Sequence, residues 1–227
     1  MVEAVEQYHD LVRRDVFEVM PAHLGRVLDV GGGIGATSVA LKREGRADHI
    51  VIVDQVADQV LDGVDMAFAG NLEDPAFLAR VVAEAGHFDT ILCLDVLEHL
   101  RDPWSVVDQL RQCLVPGGTI VSSIPNVNFI GLVGPLVLRG RYELADAGIL
   151  DRTHIRWFVK DGAVELMSRG GLRVECVVDR VPRFKYRLLS ALSFGVLKRF
   201  FVLQFLIRAR NSEAGAASES SRATASA

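Results

Sequence analysis

The chain has 227 residues, half of them hydrophobic and 24% charged, which suits one globular domain with a sizeable core. Its 25 Lys and Arg against 29 Asp and Glu leave a formal net charge of -4, so there is no basic footprint for nucleic acid. Cys93, Cys113 and Cys176 are odd in number, far apart and set in apolar patterns, which argues against a disulfide framework or a zinc site and predicts buried free thiols.

The opening stretch MVEAVEQYHDLVRRD is charged and has no apolar signal core, so a cytoplasmic protein is expected. Within residues 2–20, Val5, Tyr8, Leu11, Val12, Val16 and Val19 recur at three- and four-residue spacing, which predicts an amphipathic helix ending before Pro21. RVLDV reads as a short buried strand, followed by a glycine turn and a helix over 36–44. HIVIVD and DMAFAG read as the second and third strands. DPAFLARVVAEAG carries Asp74 as N-cap, Pro75 at the first helical position and Gly86 as stop. DTILCLD is the fourth strand, DPWSVVDQLRQCL repeats the Asp-Pro helix start and runs to PGG, and TIVSSIPN is the fifth strand.

Strands alternating with helices imply βαβ units and a parallel sheet. Residues 126–159 break this rhythm with glycines, paired charges and aromatics of no clean period. After them KDGAVELMSRGG predicts a helix, LRVECVVDRV a strand, residues 184–199 a helix, and FFVLQFLIRAR a last strand. Lys198 and Arg199 divide the most apolar region, 188–210, into runs too short for a membrane helix, which needs about 18 uninterrupted apolar residues. Residues 211–227 are small and polar and are expected to form a disordered tail beyond one domain over 1–210.

In a doubly wound sheet, ligands sit beyond the carboxyl ends of the strands, where the turn after the first strand lies. Two cofactors fit its glycines. Gly31, Gly33 and Ala36 satisfy the dinucleotide pattern G-x-G-x-x-G/A, whereas Gly31, Gly33 and Gly35 satisfy the G-x-G-x-G of S-adenosylmethionine enzymes. Asp29, two residues before, favours the second, because a carboxylate suits the ammonium of a methionine moiety and repels a pyrophosphate. Asp54 closes the second strand about twenty residues on, in reach of a ribose hydroxyl.

VLDVGGGIG, IVIVD, the run from FDTILCLDVLEHL through PGGTIVSSIPN, and GILDRTHIRWF follow one another at suitable spacing. Together, over about residues 8–210, they resemble class I S-adenosylmethionine-dependent methyltransferases, most of all small bacterial members often associated with sugar and cell-surface glycan pathways. The resemblance implies an α/β, Rossmann-like doubly wound sheet of seven strands, the last antiparallel, with a substrate-binding insert after strand five. It implies S-adenosyl-L-methionine as cofactor. Asp29 and the backbone at Gly31, Gly33 and Gly35 would hold its methionine end, Asp54 its ribose, and Asp95 would face the sulfonium. Asn71 stands where the family usually has an acid facing the adenine amine, and its amide oxygen can accept that bond, with Glu73 as a substitute. Gly32 stands where many relatives carry a cysteine, a change expected to be neutral.

Methyl transfer to oxygen needs a base, for which His154, His99 and Asp95 are the candidates, His154 ahead of His99 and with Asp151 to orient it or raise its basicity. Asp95 and His99 alone make only a fragment of a metal site, so no metal is expected. His9, His23, His49 and His87 are expected at the surface. Arg141, Tyr142, Asp151 and Trp157 of the insert suit a hydroxyl-rich acceptor, and the apolar NFIGLVGPLVL before them suits a lid, a dimer contact or a lipid-facing patch. The expected function is S-adenosylmethionine-dependent O-methylation of a sugar or glycan-type small-molecule acceptor. An NAD-dependent oxidoreductase and a non-catalytic module keeping the cofactor pocket are the alternatives. No nucleic-acid partner and no transmembrane segment are expected, and a homodimer is allowed.

Overall fold

Strands buried on both faces read as continuous apolar runs, and Ile50 to Val53 are each fully shielded from solvent. A computed structural model describes residues 12–212 and places seven strands in one sheet. In chain order the elements are β1 (Gly25–Val30), α1 (Ala36–Arg43), β2 (Ala47–Asp54), β3 (Met66–Ala69), α2 (Pro75–Ala85), β4 (Phe88–Leu94), α3 (Pro103–Gln112), β5 (Leu114–Pro125), α4 (Ile130–Arg139), α5 (Lys160–Met167), β6 (Leu172–Arg180), α6 (Phe184–Leu192) and β7 (Gln204–Asn211). The strand order is β3-β2-β1-β4-β5-β7-β6. Strands β1 to β5 pair parallel, and β7 runs antiparallel to both β5 and β6.

The order reverses at β1, whose neighbours are β2 and β4: Asp29 lies beside Ile52 on one side and Leu92 on the other. Alternate side chains feed two cores. Val51, Val53 and Ile91 pack with Phe77, Leu78 and Val81 of α2, Val107 and Leu110 of α3, and Leu166 of α5. Ile50, Ile52 and Leu92 pack on the other face with Val16, Val19, Leu24 and Leu41. Both Asp-Pro helix starts form as read: Asp74 accepts from the Ala76 N–H at 3.0 Å and Asp102 from the Ser105 N–H at 3.0 Å. Gly86 ends α2 with φ of 79°, a conformation that suits a residue without a side chain.

Four expectations need correction. Residues 2–11 of the expected N-terminal helix lie outside the described residues, and residues 12–20 hold only a 3-10 turn at Arg14–Val16. The irregular insert contains helix α4, despite Gly131, Gly134 and Pro135. The helix expected over 184–199 stops at Leu192, because Phe194 (φ 50°) and Gly195 (φ 80°) turn the backbone left-handed; a separate 3-10 turn follows at Lys198–Phe200. The last strand begins at Gln204 rather than at Phe200. Of the expected tail, residues 213–227 lie outside the described residues. Cys93 and Cys113 are buried, Cys176 is half-buried, and all three are free. Among the described residues no helix is long and apolar enough to cross a membrane.

Candidate active site

The glycine turn between β1 and α1 has a steric reason at each key position. Gly31 has φ of 64°, and a Cβ there would lie 2.6 Å from Val96. Gly35, at the start of α1, has φ of 87°, and a Cβ would lie 2.5 Å from Ile52. Gly33, with φ of 54°, donates its N–H to Asp54 Oδ2 at 3.0 Å. Asp54 accepts a second backbone bond from Val56 at 3.2 Å, so one carboxylate at the end of β2 fixes both the turn and its own loop. Asp29 is 3% exposed, beneath the turn, and burial pushes its carboxyl up to about 6, with the Ser38 hydroxyl opposing and Asp54 adding to the rise. Gly32 is not neutral to this arrangement. A Cβ there would come within 2.6 Å of the Asp29 carboxyl carbon, so the bare backbone lets the acid sit where it does.

A cleft opens beyond the turn, lined by Gly31, Asp54, Gln55, Gly70, Asn71, Leu72, Glu73, Asp95, Val96, His99 and Leu100. Its lining combines the carboxylates of Asp54 and Asp95 with the apolar side chains of Leu72, Val96 and Leu100, an acceptor and wall set that suits a ribose and a flat base. Asn71 lines it, with Oδ1 accepting from the Glu73 N–H at 3.0 Å. Glu73 lines it too, but its Oε1 accepts from the N–H groups of Arg101 (2.9 Å) and Asp102 (3.1 Å) and holds that loop. Asp95 follows β4 with φ of 57°, unusual for a residue with a side chain. Its carboxylate accepts from the Ser123 hydroxyl at 2.8 Å, the Gln204 amide at 2.8 Å and the Arg13 guanidinium. Three separate parts of the chain thus fix one acid at the cleft wall.

His99 and His154 meet edge to face, ring centres 4.6 Å apart, but only His99 lines the cleft. The His154 side chain is 6% exposed, with Nδ1 3.3 Å from the Ile149 carbonyl and Nε2 3.8 Å from Glu98 Oε1. Burial, then the neighbouring His99, lowers its basicity. Of the two histidines, it is thus His99 that the cleft reaches directly. Of the two roles expected for Asp151, its charge does raise the basicity of His154, against the larger effect of burial, but its carboxylate bonds Thr153 rather than the His154 ring. It accepts from the Thr153 hydroxyl at 2.6 Å, and that oxygen lies 3.0 Å from His99 Nδ1. Burial raises the Asp151 carboxyl, but the Thr153 bonds and the nearby imidazoles outweigh it and leave it below its usual range.

Sequence reasoning passed over Glu98. It is 1% exposed, neither carboxylate oxygen has a hydrogen-bond partner among the described residues, and burial, reinforced by Asp95, drives its carboxyl well above the usual range. Its position inside DVLEHL was the available signal. Glu98, His99 and His154 offer ligand atoms within 4.8 Å of one another, a group that shares only His99 with the Asp95–His99 fragment read from the sequence. The insert reaches this cluster through its backbone, as the N–H groups of Ile155 and Arg156 donate to the Glu98 carbonyl at 2.9 and 3.0 Å. From His154 a line of rings runs outward to Trp157 (5.9 Å) and Tyr142 (6.1 Å further), both partly exposed. Arg141 is exposed and only grazes Glu143 at 4.0 Å.

Comparison with known proteins sets this geometry in a lineage. The chain is 34% identical over 105 residues to the ubiquinone biosynthesis O-methyltransferase of Xylella fastidiosa strain M23, which is 44% of this chain and 42% of that protein. The chain thus spans less than half the length of the first curated relatives that it matches. It is 29% identical over 181 residues to the tRNA 5-carboxymethoxyuridine methyltransferase of Escherichia coli O157:H7, covering 71% of this chain and 67% of that one. An S-adenosylmethionine-dependent methyltransferase structure from Archaeoglobus fulgidus superposes with a TM-score of 0.61 at 15% identity, over 87% of this chain and 91% of that one, and shares the fold. Residues 5–177 match the family model described as a methyltransferase domain. With the seven-stranded sheet and its antiparallel β7, this places the chain in the methyltransferase domain family, on the Rossmann-like fold of class I S-adenosylmethionine-dependent methyltransferases.

Proposed function

We propose that the chain is an S-adenosylmethionine-dependent methyltransferase acting on oxygen. The observation that carries this reading is the pairing of Asp54, bonded to the Gly33 N–H, with the fixed Asp95 across one cleft. Asp54 would hold the ribose hydroxyls, Leu72, Val96 and Leu100 the adenine, Asn71 its amine, and the glycine turn above Asp29 the methionine end. The cofactor supplies a methyl group on a sulfonium, already activated for transfer. The protein then has to position the acceptor and remove its proton.

His99 is the base this arrangement favours. The Thr153 hydroxyl spends its single proton on Asp151, so toward His99 it can only accept. His99 must therefore carry its proton on Nδ1, leaving Nε2 as the free lone pair that can take a proton from an acceptor hydroxyl. Thr153 and Asp151 act as positioning residues, and His154 packs behind the ring. The Xylella relative is named as an O-methyltransferase, which supports transfer to oxygen. The exposed Tyr142 and Trp157 rings at the rim, beside Arg141, favour a sugar or glycan-type acceptor, since aromatic faces stack on sugar rings. The test is an acceptor screen monitored by S-adenosylhomocysteine release. Turnover of a glycan or nucleotide-sugar hydroxyl is expected, and turnover confined to phenolic acceptors would overturn the glycan assignment.

A further inference from the structure

Helix α6 joins the end of β6 to the start of β7, at the end of the sheet where Gln204 reaches Asp95. It has no buried residue. Tyr186 is its anchor, stacked on Phe201 at 5.5 Å and edge-on to Phe129, beside α4, at 5.8 Å. The rest of the segment turns apolar side chains outward. Phe184, Leu188 and Leu192 recur every four residues along one face and are 79%, 52% and 69% exposed. Beyond them the left-handed turn puts Phe194 at 97% exposure and Val196 at 74%. Soluble surfaces carry single exposed apolar residues, but a contiguous set of this kind marks a contact surface.

The charge around it points to one occupant. From Val181 to Arg210 the sequence contains no Asp or Glu, although the chain as a whole is net negative. Arg183, Lys185, Arg187 and Arg199 are exposed, and none is in an ion pair among the described residues. Two copies of the chain meeting on this face would set cations against cations. An anionic lipid surface instead receives the apolar stripe in its acyl boundary and the cations at its headgroups. We propose that α6 and the turn at Phe194 dock the protein onto anionic membranes, lying in the interface rather than spanning it. This placement sets the membrane at the rim of the cleft, and it does not depend on the methyl-transfer reading.

The experiment is co-sedimentation of the full chain with vesicles of phosphatidylcholine alone and of phosphatidylcholine and phosphatidylglycerol in equal parts. Binding to the anionic vesicles, weakened by salt, is expected, with little on the neutral ones. Each cation contributes about fivefold, so combining Arg183→Glu, Lys185→Glu and Arg187→Glu should weaken binding on the order of 100-fold or more. Leu192→Ser with Phe194→Ser should also release the protein from the vesicles. Thermal midpoint and S-adenosylhomocysteine affinity serve as controls, and both are expected to hold, since neither set of residues lines the cleft. Failure of the full chain to sediment, equal binding to both vesicle types, or a lipid-free dimer that the same substitutions dissolve would each overturn the proposal.

Discussion

Residues 25–125 and residues 126–200 are built on different terms. In the first region the central strands β1, β2, β4 and β5 are buried over most of their length, and the turn glycines have a steric partner that explains the residue type: Gly31 against Val96, Gly32 against Asp29, Gly35 against Ile52. In the second region α5 and β6 join the core and the sheet through Leu166, Met167 and the pairing with β7, whereas the insert and the α6 segment rest on polar clasps. Asn126 donates to the carbonyls of Arg199 (2.9 Å) and Val202 (2.8 Å), and Arg156 donates to that of Arg101 (2.9 Å). Helix α4 buries only Leu132, and α6 buries nothing. The difference teaches where each kind of information lies. The first region supplies the sheet and the cleft, whereas the insert and the α6 segment lie over that frame with few buried residues, as loops carried on a rigid scaffold do.

The largest test of this division is truncation. Ending the chain at Arg199 removes β7, which pairs with both β5 and β6. Loss of cooperative thermal unfolding is expected, because two strands lose their partner. A soluble, cooperatively folding product would show that the sheet does not need β7.

Next in size is the histidine pair. His99→Ala should lower turnover by about 10²–10⁴-fold with a smaller change in S-adenosylhomocysteine affinity. His154→Ala should act mainly on stability, lowering the thermal midpoint, because it removes the group facing the unpartnered Glu98. Thr153→Val should weaken turnover and shift its pH profile, as the Nδ1 proton loses its acceptor. If His154→Ala matches the turnover loss of His99→Ala at unchanged stability, the base assignment is reversed.

Asp29 gives a pH signature. Its carboxyl is raised from the ordinary 3.8 to about 6, so the folded state prefers it protonated. That stabilisation is complete below 3.8 and is lost as pH rises through 6, a displacement corresponding to about 3 kcal/mol. Asp29→Asn should therefore gain up to about 3 kcal/mol over the parent above pH 6 and nothing below pH 4 in denaturant titrations. It should also weaken S-adenosylhomocysteine binding. A gain independent of pH would mean that the Asp29 carboxyl titrates alike in the folded and unfolded chain, contrary to its burial. The smallest effect is expected from Asn71→Asp, which restores an anionic acceptor while keeping the bond to the Glu73 N–H. Cofactor affinity should hold or rise by about tenfold at most, and a large loss would show that Asn71 donates rather than accepts.

Much of the first region was legible because burial on both faces writes itself as apolar runs and Asp-Pro as helix starts. The glycine turn was visible because Gly31, Gly33 and Gly35 take a left-handed backbone that favours glycine, and Asp54 because it closes a buried apolar strand. Helix α4 was hidden by Gly131, Gly134 and Pro135, each a poor helix former. The break in α6 was hidden because Phe194 is not a residue that announces a left-handed turn. The partners of Asp95 and the isolation of Glu98 depend on contacts between distant segments, Arg13 and Gln204 among them, which no local pattern encodes.

The central claim is that the cleft between the glycine turn and Asp95 is an S-adenosylmethionine site anchored by Asp54. The most direct measurement is calorimetric titration of the full chain with S-adenosylhomocysteine and, separately, with NAD. Expected is saturable binding of S-adenosylhomocysteine, none of NAD, and a loss of about 100-fold or more in Asp54→Ala, whose fold persists by circular dichroism. Binding of NAD, or S-adenosylhomocysteine affinity unchanged in a folded Asp54→Ala, would contradict it.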